Sequence, residues 1–173
     1  MKPVKQFKKK QTSYKDLNPW QKCMYNAFGT AMGKTSSEIA KTVQTQVQQN
    51  RFSADSGDAM FYLAKNYGFT CTGASRYTGK DWLKQFKNCQ LILAITTDAE
   101  ILKAGVGKAF KSCFTGNGDA LKALTDPSFD KVQWHAIYGK ASSPGNITWK
   151  DQQGQRNNGP LMNDYVVVFT KAV

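Results

Sequence analysis

A chain of 173 residues with 40% apolar residues is long enough for one domain with a true core, and too short to expect two. No run approaches the ~18 consecutive apolar residues of a membrane span, and the basic start, residues 1–11, has no apolar segment behind it, which excludes a secretory signal of the usual kind. The formal charge of +12 excludes little but favours an acidic partner, whether nucleic acid, an acidic protein or an inhibitor.

About half of that excess lies in the first 22 residues. Seven lysines (Lys2, Lys5, Lys8, Lys9, Lys10, Lys15, Lys22) face one acid, Asp16. Residues 1–15 therefore read as a solvated basic arm, and residues 16–173 as one folded unit. The four cysteines, Cys23, Cys71, Cys89 and Cys113, form no Cys-x-x-Cys, and with a single histidine a zinc finger is hard to build. Reduced thiols and no cofactor are the expectation.

The first helix is announced by Asn18-Pro19-Trp20-Gln21. Asn18 can cap, Pro19 suits the first helical position and Gln21 can close a capping box. Trp20, Met24, Ala27, Phe28, Ala31 and Met32 then recur at helical spacing up to Gly33. Cys23 falls on or beside this stripe, near the positive end of the helix. Thr35-Ser36-Ser37-Glu38 is a second capping box, opening a helix with the stripe Ile39, Val43 and Val47. A third helix is expected over residues 58–67, stopped by Gly68, and a fourth from residues 78–81, carrying Trp82, Leu83 and Phe86. Residues 91–96 form a strand apolar on both faces, hence central in its sheet.

In residues 98–125 some helical spacing (Ile101, Leu102, Ala109, Phe110) is broken by Gly105, Gly107, Gly116 and Gly118. A loop-rich insertion that lines or covers a site is expected there. Strands follow at 132–138, 146–149 and 165–170. Helices first and an antiparallel sheet after them give an α+β fold.

The chemistry-bearing segment begins at His135, the single histidine. His-Ala-Ile-Tyr-Gly is followed by the turn Ser-Ser-Pro-Gly and by Asn-Ile-Thr-Trp-Lys, ending at Asp151. A hairpin returns Asp151 to the start of the first strand, where a carboxylate can hold the imidazole as a general base. Cys23 is the nucleophile within reach of such a base only if its helix packs at that strand.

This order of elements resembles the papain-like superfamily, in particular bacterial papain-fold toxins and effectors such as glutamine deamidases and bacteriocin-processing cysteine peptidases. In that group a cysteine opens the first long helix, a histidine begins a later strand and an Asp or Asn ends the next one, often as Asp-x-Gln. The matching positions are Cys23, His135 and Asp151, with Gln153 two residues on. The likeness spans roughly residues 16–170 as an order of elements, and its specific part is 135–153. It departs from the pattern at Leu17, where an oxyanion-hole glutamine usually stands; Gln21 and Asn18 are the nearby amides. It implies N-terminal helices packed on a C-terminal antiparallel sheet, a Cys23–His135–Asp151 triad, and oxyanion or orienting roles for Gln21, Asn18 and Gln153.

The resemblance further implies a secreted or delivered effector of bacterial competition. It would act in the cytoplasm of a target cell and be neutralised by an acidic immunity protein. Its reaction would be hydrolysis of an amide bond, in a peptide backbone or a glutamine side chain, since both share their first step. Two other readings stay open. A ribonuclease toxin on the same scaffold would use His135 on a ribose and lysines on phosphate, and an inert binding module would work through its lysines alone.

Overall fold

The computed structural model describes residues 17–116 and 118–173; the basic arm at 1–15 lies outside them. Helix α1 (Pro19–Met32) starts as its sequence dictates. The Asn18 side chain accepts from the Gln21 N–H, the Gln21 side chain accepts from the Asn18 N–H, Pro19 sits in the first turn, and Gly33 ends the helix at φ 65°. Thr35 and Glu38 close the second capping box ahead of α2 (Ser36–Gln48), and Ser56 caps α3 (Gly57–Asn66).

The remaining order is β1 (Thr70–Arg76), α4 (Lys80–Leu83), β2 (Cys89–Thr96), α5 (Asp98–Ala104), α6 (Lys108–Ser112), α7 (Ala120–Thr125), a 3-10 turn (Pro127–Lys131), β3 (His135–Ser143), β4 (Asn146–Lys150) and β5 (Tyr165–Ala172). The strands form one antiparallel sheet in the order β1-β5-β2-β3-β4. The fold is α+β, as the sequence leads one to expect, with β2 in the middle of the sheet.

The sheet is covered on both sides. One face of β2, Ile92 and Ala94, joins Ala136, Tyr138, Val167 and Phe169 beneath the helices. The other, Leu91, Leu93 and Ile95, joins Ile137, Val166 and Val168 under Tyr77, Phe86 and the partly buried Trp82 and Trp149. Residues 98–125 are not the loop-rich insertion expected. Their described residues hold three short helices, with Phe110 of α6 and Phe114 just beyond it fully buried. Of their glycines, Gly105 ends α5 in the left-handed region, Gly107 caps the start of α6, Gly116 turns at φ 57°, and Gly118 bridges Ala74 of β1. The expected fourth helix shrinks to the single turn of α4, and no helix among the described residues is long and apolar enough to cross a membrane.

Candidate active site

The β3–β4 hairpin does what its sequence requires. Tyr138 stands opposite Lys150 and Ala141 opposite Ile147, with Gly145 at φ 76° in the turn. Continuing one residue past Lys150 brings Asp151 back beside the start of β3. There the His135 Nε2 and Asp151 Oδ2 lie 2.8 Å apart, with the two side chains 12% and 2% exposed. The Asp151 carboxylate also accepts the N–H of Gln153 on Oδ1 (3.1 Å) and that of Arg156 on Oδ2 (2.7 Å). Burial by itself would raise this carboxyl; the imidazole and the two N–H donors outweigh it and hold the group below the ordinary carboxylate range.

With Nε2 committed to Asp151, the other ring nitrogen, Nδ1, has no hydrogen-bond partner among the described residues. No buried side-chain nitrogen or oxygen there goes unsatisfied, so Nδ1 is open to solvent. His135 lines a cleft of about 470 Å³ together with Trp20, Thr96, Trp134, Gln153 and Arg156. The 3-10 turn supplies part of the wall, and the stacking of Phe129 on Trp134 (4.5 Å between ring centroids) stiffens it.

Helix α1 packs on β3 and carries Cys23 to the same place from beneath. The thiol accepts the N–H of Ala136, the residue after His135, at 3.3 Å, and donates to the Trp20 carbonyl at 3.2 Å. The structure thus brings Cys23 to the first residues of β3, but the thiol's bonds go to backbone and the imidazole's to Asp151. Cys23 is 3% exposed, and it borders a void of about 10 Å³ with Ala136 and Asp151 instead of the main cleft. Burial, only partly offset by the Ala136 N–H, pushes its pKa up to about 12. At neutral pH the resting group is a thiol.

The cause of this depth is the helix start. Because Pro19 is the first helical residue, Cys23 is the fifth, one full turn in. Only the first four N–H groups of a helix lack an intrahelical partner, so the Cys23 N–H is not free. Nor are the two nearby amides. Asn18 gives its oxygen to the Gln21 N–H (2.8 Å) and its Nδ2 to Asp55 Oδ2 (3.3 Å), while Gln21 is 2% exposed and shared between the Asn18 N–H and the Tyr25 hydroxyl. The Trp20 N–H stands at the second helical position, among the first four N–H groups that a helix leaves without an intrahelical partner, and Trp20 lines the cleft. It is a donor that the sequence pattern did not single out, and the rule of four orphan N–H groups would have found it. Gln153 reaches back across the helix start, its Nε2 donating to the Pro19 carbonyl at 3.4 Å.

The remaining cysteines are free and unclustered: Cys89 and Cys113 are buried, Cys71 half-buried. Among the described residues no group of three His, Cys, Asp or Glu is arranged to hold a metal ion. Comparison with known proteins finds no matching family model, no matching curated protein and no matching solved structure.

Proposed function

We propose that this chain is a papain-like hydrolase domain, delivered as a toxin or effector, that breaks an amide bond with Cys23 as nucleophile and the His135–Asp151 pair as its acid–base. The observation that supports this reading is the 2.8 Å pairing of His135 with Asp151 at the start of β3, where the next residue, Ala136, gives its N–H to the Cys23 sulfur. Length, element order and the Asp151-x-Gln153 spacing support it further.

The chemistry starts from a neutral thiol. As substrate fills the cleft, the Sγ–H leaves the Trp20 carbonyl, His135 Nδ1 takes its proton, and sulfur attacks the amide carbon. The negative oxygen of the tetrahedral intermediate falls to the Trp20 N–H at the positive end of α1. Collapse breaks the C–N bond, and the imidazolium returns its proton to the departing amine or ammonia. His135 then deprotonates a water that attacks the thioester, releasing the carboxylic acid and restoring the thiol. Asp151 keeps Nε2–H in place and stabilises the transient imidazolium throughout. An acidic immunity protein that covers this cleft is the partner such a toxin needs in its producer.

A second reading has one observation in its favour: the imidazole opens to the cleft whereas the thiol does not. A ribonuclease would need only His135 and the basic surface, with Cys23 as a packing residue. One experiment separates them. Wild type and the Cys23→Ala, His135→Ala and Asp151→Asn variants are incubated with casein, glutamine-rich peptides and total tRNA, reading new amino termini, released ammonia and RNA length. The hydrolase reading expects both alanine variants to be inactive on amides and Asp151→Asn to lose roughly 10²–10⁴-fold. Amide hydrolysis that survives intact in Cys23→Ala overturns it. RNA cleavage lost in His135→Ala and kept in Cys23→Ala establishes the second reading.

A further inference from the structure

Cys23 and His135 come to the same end of β3 but border different spaces. The thiol borders the void of about 10 Å³, with room for about one water at most, and the imidazole lines the cleft of about 470 Å³. Among the described residues Gln153 alone lines both, which makes it the partition between the sulfur and the space a substrate enters. Its main chain is fixed. The Gln153 N–H goes to Asp151 Oδ1 at 3.1 Å, and the Arg156 N–H closes the turn on Oδ2 at 2.7 Å. Its side chain is held far more lightly: it is half-buried, and Nε2 donates to the Pro19 carbonyl at a long 3.4 Å, at the exposed start of α1. By helix geometry that carbonyl also receives the Cys23 N–H, so it keeps a partner when Gln153 leaves. The other groups around the void offer no such opening toward the cleft. Ala136 is sheet backbone and Asp151 is tied to the imidazole, while Lys150 and Gln152, both exposed, border the void without lining the cleft.

We infer that Gln153 is a latch over the nucleophile: its side chain, tied to the first turn of α1, shuts the Cys23 sulfur away from the His135 cleft until it swings aside. The purpose of such a latch rests on the amide-hydrolase reading, and it states how that site is regulated. Matter entering the cleft meets Gln153 before it meets sulfur. Turning that one side chain breaks a single weak, solvent-exposed hydrogen bond and joins void to cleft, while the turn keeps both of its N–H bonds to Asp151. The resting protein thus keeps its thiol covered, and a bound substrate uncovers it.

The test reads access to the sulfur and needs no substrate. Full-length wild type, Gln153→Met, Gln153→Ala and Gln152→Ala are treated with iodoacetamide at pH 8, and the labelling of each cysteine is followed by peptide mass spectrometry. Methionine keeps the length of the side chain, removes its N–H donor and adds no charge beside the thiol. The expected result is Cys23 labelled roughly two- to tenfold faster in both Gln153 variants, the weight of one hydrogen bond. Cys89 and Cys113 should stay as slow as in wild type, and Gln152→Ala should leave Cys23 unchanged. Wild-type rates in both Gln153 variants, acceleration in Gln153→Ala alone, an equal acceleration in Gln152→Ala, or one shared by Cys89 and Cys113 overturns the inference. Amide hydrolysis that survives in Cys23→Ala would remove the hydrolase reading alone and leave the latch standing.

Discussion

Cys23 and His135 both come to the start of β3, in opposite states: the imidazole is held by Asp151 on the wall of the cleft, while the sulfur, against the Ala136 N–H, is covered and protonated. A thiol with its pKa near 12 is ionised only to a minute fraction at pH 8. Between pH 7 and 10 its thiolate, and so its alkylation rate, rises tenfold per pH unit. Iodoacetamide should therefore label Cys23 in the native protein roughly 100-fold more slowly than free cysteine at pH 8, after allowing for the greater nucleophilicity of a high-pKa sulfur. Peptide mass spectrometry of Cys23 over that pH range checks this. A rate that is already flat near pH 7 would mean a resting thiolate–imidazolium pair and contradict the geometry. At this scale the His135–Asp151 pair was legible because a short hairpin fixes its own register: the Ser-Ser-Pro-Gly turn and five strand residues decide where Asp151 falls. The depth of Cys23 was not, because it depends on counting from Pro19. A helix that began at the cysteine would expose the sulfur and free its N–H; one that begins four residues earlier buries both.

The elements best read from sequence are those with local chemistry at their ends. Asn18, Pro19, Gln21 and Gly33 bound α1 by hydrogen bonds made within a few residues, so no distant contact was needed to place it. The cap has a measurable share in stability. Asn18→Ala should cost about 1 kcal/mol, seen as a lower urea midpoint with unchanged slope. An unchanged midpoint would mean that solvent replaces the side chain without loss. Strand β1 escaped notice for the opposite reason. Thr-Cys-Thr-Gly-Ala-Ser-Arg has no apolar alternation, its side chains are mostly half-exposed, and it bulges between Cys71 and Gly73. What makes it a strand is its partner, since β5 supplies the buried valines and the ladder. The glycines of 98–125 misled by number: Gly105 ends one short helix and Gly107 begins the next, and the burial that holds this segment, Phe110 and Phe114 against Trp134, is long-range.

For the molecule as a whole, β2 is the shared floor of two cores. Ile92 and Leu93 are adjacent and both fully buried, one under the helices and one under Tyr77 and Phe86. Each truncation, Ile92→Ala or Leu93→Ala, should cost about 2–5 kcal/mol, and both should lower one common transition by far-ultraviolet circular dichroism and by tryptophan fluorescence. Two separable transitions would show that the faces melt independently. The two-sided burial of this strand was plain in its unbroken apolar run, and with it the layered α+β architecture. The order β1-β5-β2-β3-β4 was not, because the pairing of β5 between β1 and β2 joins segments far apart in the chain.

The anchor at Asp151 ties two structures that would otherwise be independent. One carboxylate receives the imidazole from its own sheet and the main chain of the turn at 151–156, a turn that also borders the cleft. Whatever docks against that turn and tugs on it draws on the same carboxylate that holds the ring. Occupancy of the cavity and orientation of the imidazole are in this way mechanically coupled through a single side chain.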